Sequence, residues 1–288
     1  MMKENEQALA KILFIKVHPI RKEGKFLRIL FIGDITGNPG RQIIEKKLYQ
    51  IQQDYAIDFT IANGENATNG FGLNKKVFEQ LSVFGIDAFT MGNHTWDNKE
   101  LATFIDQEKT IVRPLNYPAN APGQGFAIFT LPDGQKLAII NLIGQYFMTP
   151  TAFSPFTAVT AALSQISSVT PNILVDLHAE ATSEKVAMGW YLDGRVSALV
   201  GTHTHIQTND ARILPRGTAY ITDVGMTGAH DSVLGMDKDI ALERFLTQMP
   251  VHFRPAEGDL QLNAVVIELN QEGRAGKIET LQMVEPSL

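Results

Sequence analysis

Residues that can bind metal ions recur in five short stretches of this chain, and each stretch follows an apolar segment. The stretches contain Asp34, then Glu65 with Asn66, then Asn93 with His94, then His178, and finally His203 with His205. Carboxylate and amide oxygens together with imidazole nitrogens form a donor set that suits iron, manganese or zinc better than calcium. The set is large enough for two ions, and paired metal ions are a common apparatus for hydrolysing phosphate esters. These residues therefore predict a dinuclear hydrolytic site.

None of these motifs is specific when taken alone. Asp34 at a strand end could equally cap a helix or form a turn, and a single buried histidine is more often hydrogen bonded within a protein than bound to metal. His203 and His205 are more informative, because residues two apart in an extended segment point to the same side. The conjunction of all the stretches, each in the same place after a strand, indicates one shared site.

The elements that must position these residues alternate between strands and helices. The sequence predicts strands at 29–32, 58–62, 86–91, 173–177, 196–200 and 219–222. It predicts helices at 42–51, 74–84, 98–106, 158–168 and 238–248. Two hairpins are indicated by the strand pairs 126–130 with 136–141 and 264–269 with 278–284.

This alternation predicts an α/β fold with a mostly parallel sheet, and the simplest arrangement is two sheets sandwiched between helices. Ligands of α/β folds gather beyond the carboxyl ends of the strands. The candidate residues Asp34, Asn93, His178 and His203 all fall within a few positions of a predicted strand end. We therefore expect the stretches to converge at one edge of the sheets.

The composition excludes several classes of protein. With 31 acidic against 25 basic residues, the net charge of −6 argues against general nucleic-acid binding, which needs a basic surface. The chain of 288 residues has no cysteine, which excludes disulfides and thiolate zinc sites. It has no apolar run near the ~20 residues of a membrane span and no recognisable signal peptide. We expect a cytoplasmic protein with no membrane contact.

The first 26 residues differ from the remainder, because they are rich in lysine and glutamate and precede the first convincing strand. Residues 1–26 are interpreted as an N-terminal extension or, preferably, as the product of a mis-assigned start, with translation beginning at Leu27 from a non-AUG codon. Residues 27–288 are expected to form a single domain.

Two of the motifs, Gly92-Asn93-His94 and Gly201-Thr-His203-Thr-His205, resemble those of the calcineurin-like metallophosphoesterases. The chain departs from the general pattern twice. Asp34-Ile-Thr36 lacks the histidine of the usual Asp-x-His motif, and Gly64-Glu65 stands where Gly-Asp is usual. Both departures match the YmdB-like branch of bacterial phosphodiesterases.

The likeness to this branch extends from Leu27 to about Phe253. The segments that carry it are 61–66, 91–97, 176–185 and 221–228. It implies the four-layer αββα sandwich of the metallophosphoesterases, and branch members begin near the residue that matches Leu27. The implied metal ions are two divalent or mixed-valence transition metals, with iron favoured, manganese next and zinc third.

The resemblance also implies how the ligands are shared. The first metal would be held by Asp34, Glu65, Asn66 and His205. Glu65 would bridge to the second metal, whose other ligands would be Asn93, His178 and His203. The two metals would outweigh the two carboxylates, so the site would attract a phosphodiester and generate hydroxide near neutral pH. His94 adjoins a ligand but is assigned to no metal, so it is interpreted as the general acid, with ligand orientation as the alternative.

Four further residues near the motifs are open to more than one interpretation. Glu180 and Glu184 could accept a hydrogen bond from the metal-bound His178, although an exposed position on a helix is favoured for Glu184. Asp223 could line a substrate pocket or form a turn after its strand. Trp96 could stack on a base, although packing is the commoner role for a tryptophan.

The resemblance implies a cyclic-nucleotide phosphodiesterase that converts 2′,3′-cyclic AMP to 3′-AMP. A phosphomonoesterase, such as a nucleotidase or protein phosphatase, is the alternative within the enzymes. A regulatory nucleotide-binding protein with slow turnover is the alternative outside them. A cyclic nucleotide is the expected small-molecule partner, and a homo-oligomer is expected because symmetric oligomers are frequent.

Overall fold

The computed structural model of the protein describes residues 26–286. The predicted N-terminal extension and its alternative, a mis-assigned start, concern residues that, apart from Phe26, lie outside this range. Within it the strands are β1 Leu27–Ile32, β2 Asp34–Ile35, β3 Phe59–Asn63, β4 Ala88–Thr90, β5 Ile111–Val112, β6 Phe126–Thr130, β7 Lys136–Ile143, β8 Ile173–His178, β9 Ala198–Thr202, β10 Arg212–Ile213, β11 Ala219–Ile221, β12 Met226–Ala229, β13 Leu260–Leu269 and β14 Ala275–Glu285. The helices are α1 Gly37–Asp54, α2 Lys75–Val83, α3 Leu101–Phe104, α4 Pro155–Ile166, α5 Thr182–Leu192 and α6 Lys238–Thr247.

Local sequence explains where the first long helices begin. Pro39 occupies the first turn of α1, where a missing N–H removes no helical hydrogen bond. Asn74 precedes α2, and its side-chain oxygen accepts a hydrogen bond from the backbone N–H of Val77 at 2.8 Å. This cap satisfies one of the free donors at the helix start.

The strands form two sheets. The first has the order β2-β12-β13-β1-β3-β4-β5, with β14 paired along β13. Its strands β1, β3, β4 and β5 are parallel, whereas β13 is antiparallel to both β1 and β14. The second sheet has the order β10-β11-β9-β8-β7-β6, with β7, β8, β9 and β11 parallel. Both predicted hairpins, β6–β7 and β13–β14, are confirmed.

Three apolar cores separate four layers. Along β1, Leu30 and Ile32 face helices α1 to α3, while the alternate residues Ile29 and Phe31 face the second sheet. This alternation is the period of two expected for a strand that is buried on both faces. On its outer side the second sheet packs against α4 and α5. The predicted αββα sandwich is therefore confirmed.

The predicted elements did not include the 11-residue helix α5 or the four-residue strand β12. The other differences from the sequence prediction concern short elements or the ends of elements. The two-residue strands β2, β5 and β10 are too short for any hydrophobic periodicity to reveal them. The helix predicted at 98–106 contracts to α3, which is only four residues long and has turns on either side. None of the helices in residues 26–286 is long and apolar enough to cross a membrane.

Candidate metal centre

All eight residues predicted for the site lie at the carboxyl ends of strands, and the two sheets contribute to it jointly. The first sheet supplies Asp34 after β1, the pair Glu65 and Asn66 after β3, and the pair Asn93 and His94 after β4. The second sheet supplies His178 at the end of β8 and the histidines 203 and 205 after β9. Short contacts link the seven predicted ligands, as described next, and Nδ2 of Asn66, which lies 3.4 Å from Oε1 of Glu65, joins Asn66 and His205 to the others.

His178 lies at the centre of the cluster and is fully buried. Its Nε2 atom is 2.9 Å from Oε1 of Glu65 and 2.9 Å from Oδ1 of Asn93. The same atom is 3.0 Å from Nδ1 of His203. Three atoms with lone pairs thus surround a fourth, and a cation between them would satisfy all of them at once. Glu65, His178 and His203 also place one donor atom each within 4.8 Å of one another.

The other nitrogen of His178 fixes the orientation of its ring. Nδ1 is 2.9 Å from the Thr202 hydroxyl, which donates its own hydrogen to Oδ1 of Asp176 at 2.8 Å. Because this hydroxyl has given its hydrogen to Asp176, it must accept one from Nδ1–H of His178. Nε2 therefore faces the cluster, in the arrangement by which proteins orient histidines that bind metals.

Asp34 and Asn66 have polar atoms that the protein leaves unsatisfied. Oδ2 of Asp34 accepts from the backbone N–H of His203 at 3.2 Å, and Nδ2 of Asn66 is 3.3 Å from Nε2 of His205. Oδ1 of Asp34 and Oδ1 of Asn66 are buried without a hydrogen-bond partner. Buried acceptors of this kind are rare and call for an explanation. A cation bound here would supply one, so the donor set fits a metal centre.

The backbone is also specialised at the site. His203 and His205 have positive φ values of 101° and 66°, which cost non-glycine residues about 1–3 kcal/mol each. Gly92 is required for a different reason, since a Cβ there would lie 2.4 Å from Cδ2 of His178 and 2.5 Å from Oε2 of Glu65. The fold thus maintains strain and close contacts where the predicted ligands meet.

Comparison with known proteins identifies the family of this chain. Residues 30–281 match the family described as YmdB-like protein. The chain belongs to this family. It is 50% identical to the 2′,3′-cyclic-nucleotide 2′-phosphodiesterase of Bacillus subtilis (strain 168), over 88% of this chain and 96% of that protein. It is 38% identical to a putative phosphatase/phosphodiesterase of Mycoplasma genitalium, over 90% of this chain and 93% of that one.

Two solved structures resemble this YmdB-like protein closely. A hypothetical protein from Thermus thermophilus has 42% identity and a TM-score of 0.84, over 90% of this chain and all of that one. A structure described as a novel phosphatase from Mycoplasma pneumoniae has 36% identity and a TM-score of 0.86. That match covers 91% of this chain and 95% of the other. Both support the αββα architecture.

The pKa values in the cluster favour one positive charge, on His178, beside the ionised Glu65 and a neutral His203. Burial would lower the pKa of His178, but Glu65 and Asp34 outweigh it and raise this pKa to about 9. Burial would raise the pKa of Glu65, but the charge and hydrogen bond of His178 bring it to about 2. Burial and the charge of His178 together lower the pKa of His203 to about 3. A proton on Nε2 of His178 and a metal ion would therefore compete for the same nitrogen lone pair.

His94 lies beside the cluster but outside the contacts that link the predicted ligands. Its backbone N–H donates to Oε2 of Glu65 at 2.8 Å, and its ring meets Phe71 edge-on with centroids 5.1 Å apart. Nδ1 is 2.7 Å from Oδ2 of Asp97, which orients the partly exposed ring. This arrangement leaves Nε2 of His94 available to a substrate.

The structure corrects two expectations and refines two others. The segment of His203 and His205 is not extended as expected, because both residues have positive φ values. Glu184 is buried, contrary to the prediction of an exposed helix residue, because its carboxylate accepts from the backbone N–H groups of Gln145 and Tyr146. Glu180 lies 3.1 Å from Nε2 of His203, so its histidine partner is not the expected His178. Trp96 packs against two apolar clusters, in agreement with the commoner role of tryptophan.

Sequence reasoning missed two polar features near the predicted ligands, the carboxylate of Asp176 and the ion pair that Asp223, considered only as a pocket or turn residue, forms with Lys185. Asp176 was detectable, because it interrupts the apolar strand β8 two positions before His178 and so shares its side. The ion pair between Lys185 and Asp223, both fully buried, gives no comparable signal. It joins residues that lie far apart in sequence, and the pairing of β9 with β11 brings the strand before Asp223 into place.

Proposed function

We propose that this YmdB-like protein is a metal-dependent phosphoric diester hydrolase that opens 2′,3′-cyclic nucleotides, converting 2′,3′-cyclic AMP to 3′-AMP. The observation that carries the proposal is the convergence of two side-chain oxygens and a second imidazole on Nε2 of His178, all within 3.0 Å. The substrate class is supported by the 2′,3′-cyclic-nucleotide 2′-phosphodiesterase of Bacillus subtilis, which is 50% identical to this chain.

Two metal ions would be held by side chains from both sheets. One ion would be bound by Asp34, Glu65, Asn66 and His205, with Glu65 shared with the ion bound by Asn93, His178 and His203. The unsatisfied oxygens of Asp34 and Asn66 support this assignment. The mixed oxygen and nitrogen donors suit iron, manganese or zinc, and the resemblance to the family favours iron, with manganese next and zinc third. When bound, the ions supply Lewis-acid polarisation of the phosphodiester and of the attacking water.

His94 would supply the proton that the leaving group needs. Opening a 2′,3′-cyclic phosphate to the 3′-phosphate adds water at phosphorus, breaks the bond between phosphorus and O2′, and leaves O2′ to be protonated. Nε2 of His94 would donate this proton, since Asp97 engages the other ring nitrogen. General acid catalysis is the role for which a partly exposed, oriented histidine is suited.

A phosphomonoesterase is the second candidate, because two Mycoplasma relatives carry the description putative phosphatase/phosphodiesterase. The same metal ions would serve either reaction, so the candidates differ in substrate rather than in mechanism of activation. A cytoplasmic location and a homo-oligomeric state stay predictions from the sequence.

The proposal is tested by hydrolysis of 2′,3′-cyclic AMP with iron-loaded or manganese-loaded protein, followed by identification of the product. Parallel assays use 3′-AMP and 2′-AMP as monoester substrates, and Asp34→Asn serves as the inactive control. Formation of 3′-AMP alone, lost in the variant, is the expected result. Release of phosphate from the monoesters without diester hydrolysis would support the phosphomonoesterase. Metal-loaded protein that hydrolyses neither class would refute both.

A further inference from the structure

The predicted ligands His203 and His205 flank Thr204 in a segment that the protein must hold against its local preference. Both histidines have positive φ values, and β9 ends just before them at Thr202. Such a conformation persists only where surrounding groups over-determine it. Each imidazole also has a contact of its own, since Glu180 lies 3.1 Å from Nε2 of His203 and the carbonyl oxygen of Leu234 lies 2.9 Å from Nδ1 of His205. The group that holds the intervening residue sets the backbone from which both imidazoles extend.

Asp223 is the group that holds Thr204. Its Oδ2 accepts from the backbone N–H of Thr204 at 3.0 Å and from the hydroxyl of the same residue at 2.8 Å. Its Oδ1 accepts from the backbone N–H of Gly225 at 2.8 Å. A main-chain bond lies next to these contacts, because the backbone N–H of Thr208 donates to the carbonyl oxygen of Asp223 at 3.0 Å. The carboxylate thus ties the turn after β9 to the loop after β11.

Lys185 completes the arrangement from α5. Its Nζ is 2.7 Å from Oδ2 of Asp223, and both side chains are excluded from solvent. The stem of the lysine crosses β9 at Gly201, where a Cβ would meet Cδ of Lys185 at 3.0 Å and the carbonyl oxygen of Thr222 at 1.8 Å. The glycine of the Gly201-to-His205 motif is therefore required by the close approach of these two neighbours. A buried lysine needs a partner such as Asp223 to remain charged.

We propose that the ion pair of Lys185 and Asp223 is a positioning device that sets the places of His203 and His205 in the metal centre. Neither residue contacts the predicted ligand atoms, so both act through Thr204. The inference rests on the proposed metal centre, but it makes a claim about the backbone that holds with or without substrate. The competing explanation is a buried ion pair that contributes only to stability.

Asp223→Asn is the principal test. The single side-chain oxygen of an asparagine can accept from Thr204 or from Gly225, but not from both. Its NH₂ group then faces the backbone N–H of the other residue, and two donors cannot form a hydrogen bond. We expect the Mn²⁺ affinity to fall at least about 10-fold, in the range of residues that orient metal ligands. Hydrogen exchange of the metal-free protein should rise in the peptide that covers residues 202–206.

Asp193→Asn is the matched control. Asp193 is buried as well, and both of its oxygens accept from the backbone N–H of Arg216, at 3.1 Å and 3.0 Å. This control applies the same chemical change to a buried aspartate that is not connected to the metal centre. Its Mn²⁺ affinity and the exchange of residues 202–206 should match those of the wild type.

A double variant separates position from stability. Asp223→Asn alone leaves Lys185 buried without a countercharge, whereas adding Lys185→Met removes that charge and keeps an apolar stem over Gly201. We expect the melting temperature of the double variant to exceed that of Asp223→Asn, while its Mn²⁺ affinity stays low. Recovery of affinity in step with the melting temperature would overturn the positioning role.

Thr204→Val keeps the inference testable if both variants at Asp223 fail to fold. It removes one donor to Asp223 and retains the backbone bond, so we expect a smaller loss of Mn²⁺ affinity, about 3- to 10-fold. Wild-type affinity and wild-type exchange of residues 202–206 in this variant would contradict the inference. None of these measurements needs turnover, so an absence of diester hydrolysis would reject the proposed function and leave this result intact.

Discussion

The two ends of the parallel strands use the same residue type in opposite ways. Asp34 at the carboxyl ends and Asp193 near the amino ends are both buried. Asp193 directs its two oxygens at one backbone N–H, that of Arg216, so its acceptors are satisfied within the protein. Asp34 has one oxygen on the N–H of His203 and another without a hydrogen-bond partner. An open buried acceptor is costly. Asn172 leaves one such oxygen at the amino end of β8, whereas the carboxyl ends combine two of them, on Asp34 and Asn66, with the cluster of Glu65, His178 and His203.

The presence of a cavity does not by itself identify the site. A cleft of about 870 Å³ lies at the amino ends of β8 and β9 and is lined by Arg195, Arg216 and Arg274. The three arginines are exposed, so they keep their hydration and impose no need for a ligand. None of the predicted ligands lines this cleft. Desolvated polar groups, rather than volume, distinguish the site that we propose to be catalytic.

Removal of a ligand should produce the largest effect and tests the comparison most severely. His203→Ala and Asn93→Ala each remove one of the predicted ligand atoms that lie within 3.0 Å of Nε2 of His178. We expect hydrolysis of 2′,3′-cyclic AMP to become undetectable. The bound metal should fall by about half, since one of the two ions loses a ligand. Metal content measured by mass spectrometry checks this. Full occupancy in both variants would show that the open polar groups serve another purpose.

His94→Ala should produce the next largest effect. The variant keeps every predicted ligand, so metal content should stay at the wild-type level while turnover falls on the order of 10²–10⁴-fold. Measurement of kcat on a metal-replete sample tests the role directly. Unchanged kcat would reduce His94 to a residue that orients its neighbour Asn93.

The sequence was sufficient to place the candidate ligands because each of them depends on local information. Asp34, Asn93 and His178 follow apolar runs, and the carboxyl ends of parallel strands meet at one edge. Their pairwise contacts could not be predicted in the same way. That Glu180 meets His203 and not His178 depends on the order of β8 and β9 in the second sheet.

Burial of charged residues was the harder property to predict. Glu184 occupies the first turn of α5, where an acidic residue commonly faces solvent and favours the helix dipole. It is buried instead because the loop after β7 presents the N–H groups of Gln145 and Tyr146 to it. Lys185 is buried next to it for a similarly distant reason, the carboxylate of Asp223. Such partners come from packing between elements, which hydrophobic periodicity does not encode.

Thr202→Val should have an intermediate effect, because it removes the hydroxyl between His178 and Asp176. We expect metal affinity or activity to fall about 10- to 100-fold, the usual range for groups that orient a ligand. Thr218→Val is the matched control at the amino end, where the buried hydroxyl donates to the carbonyl of Val196 at 2.7 Å. Equal losses of metal affinity in both variants would indicate general destabilisation and not a contact specific to the site.

Arg216→Ala should have the smallest effect and tests the other side of the comparison. The substitution removes an exposed guanidinium from the cleft but keeps the backbone N–H that satisfies Asp193. We therefore expect the free energy of unfolding to change by no more than about 0.5 kcal/mol. The rate of hydrolysis of 2′,3′-cyclic AMP should stay within about twofold of the wild type, since a charge at the far end of the sheet is screened from the site. A large loss of activity with unchanged stability would mean that the amino end also participates in function, because no loss of folding could account for it.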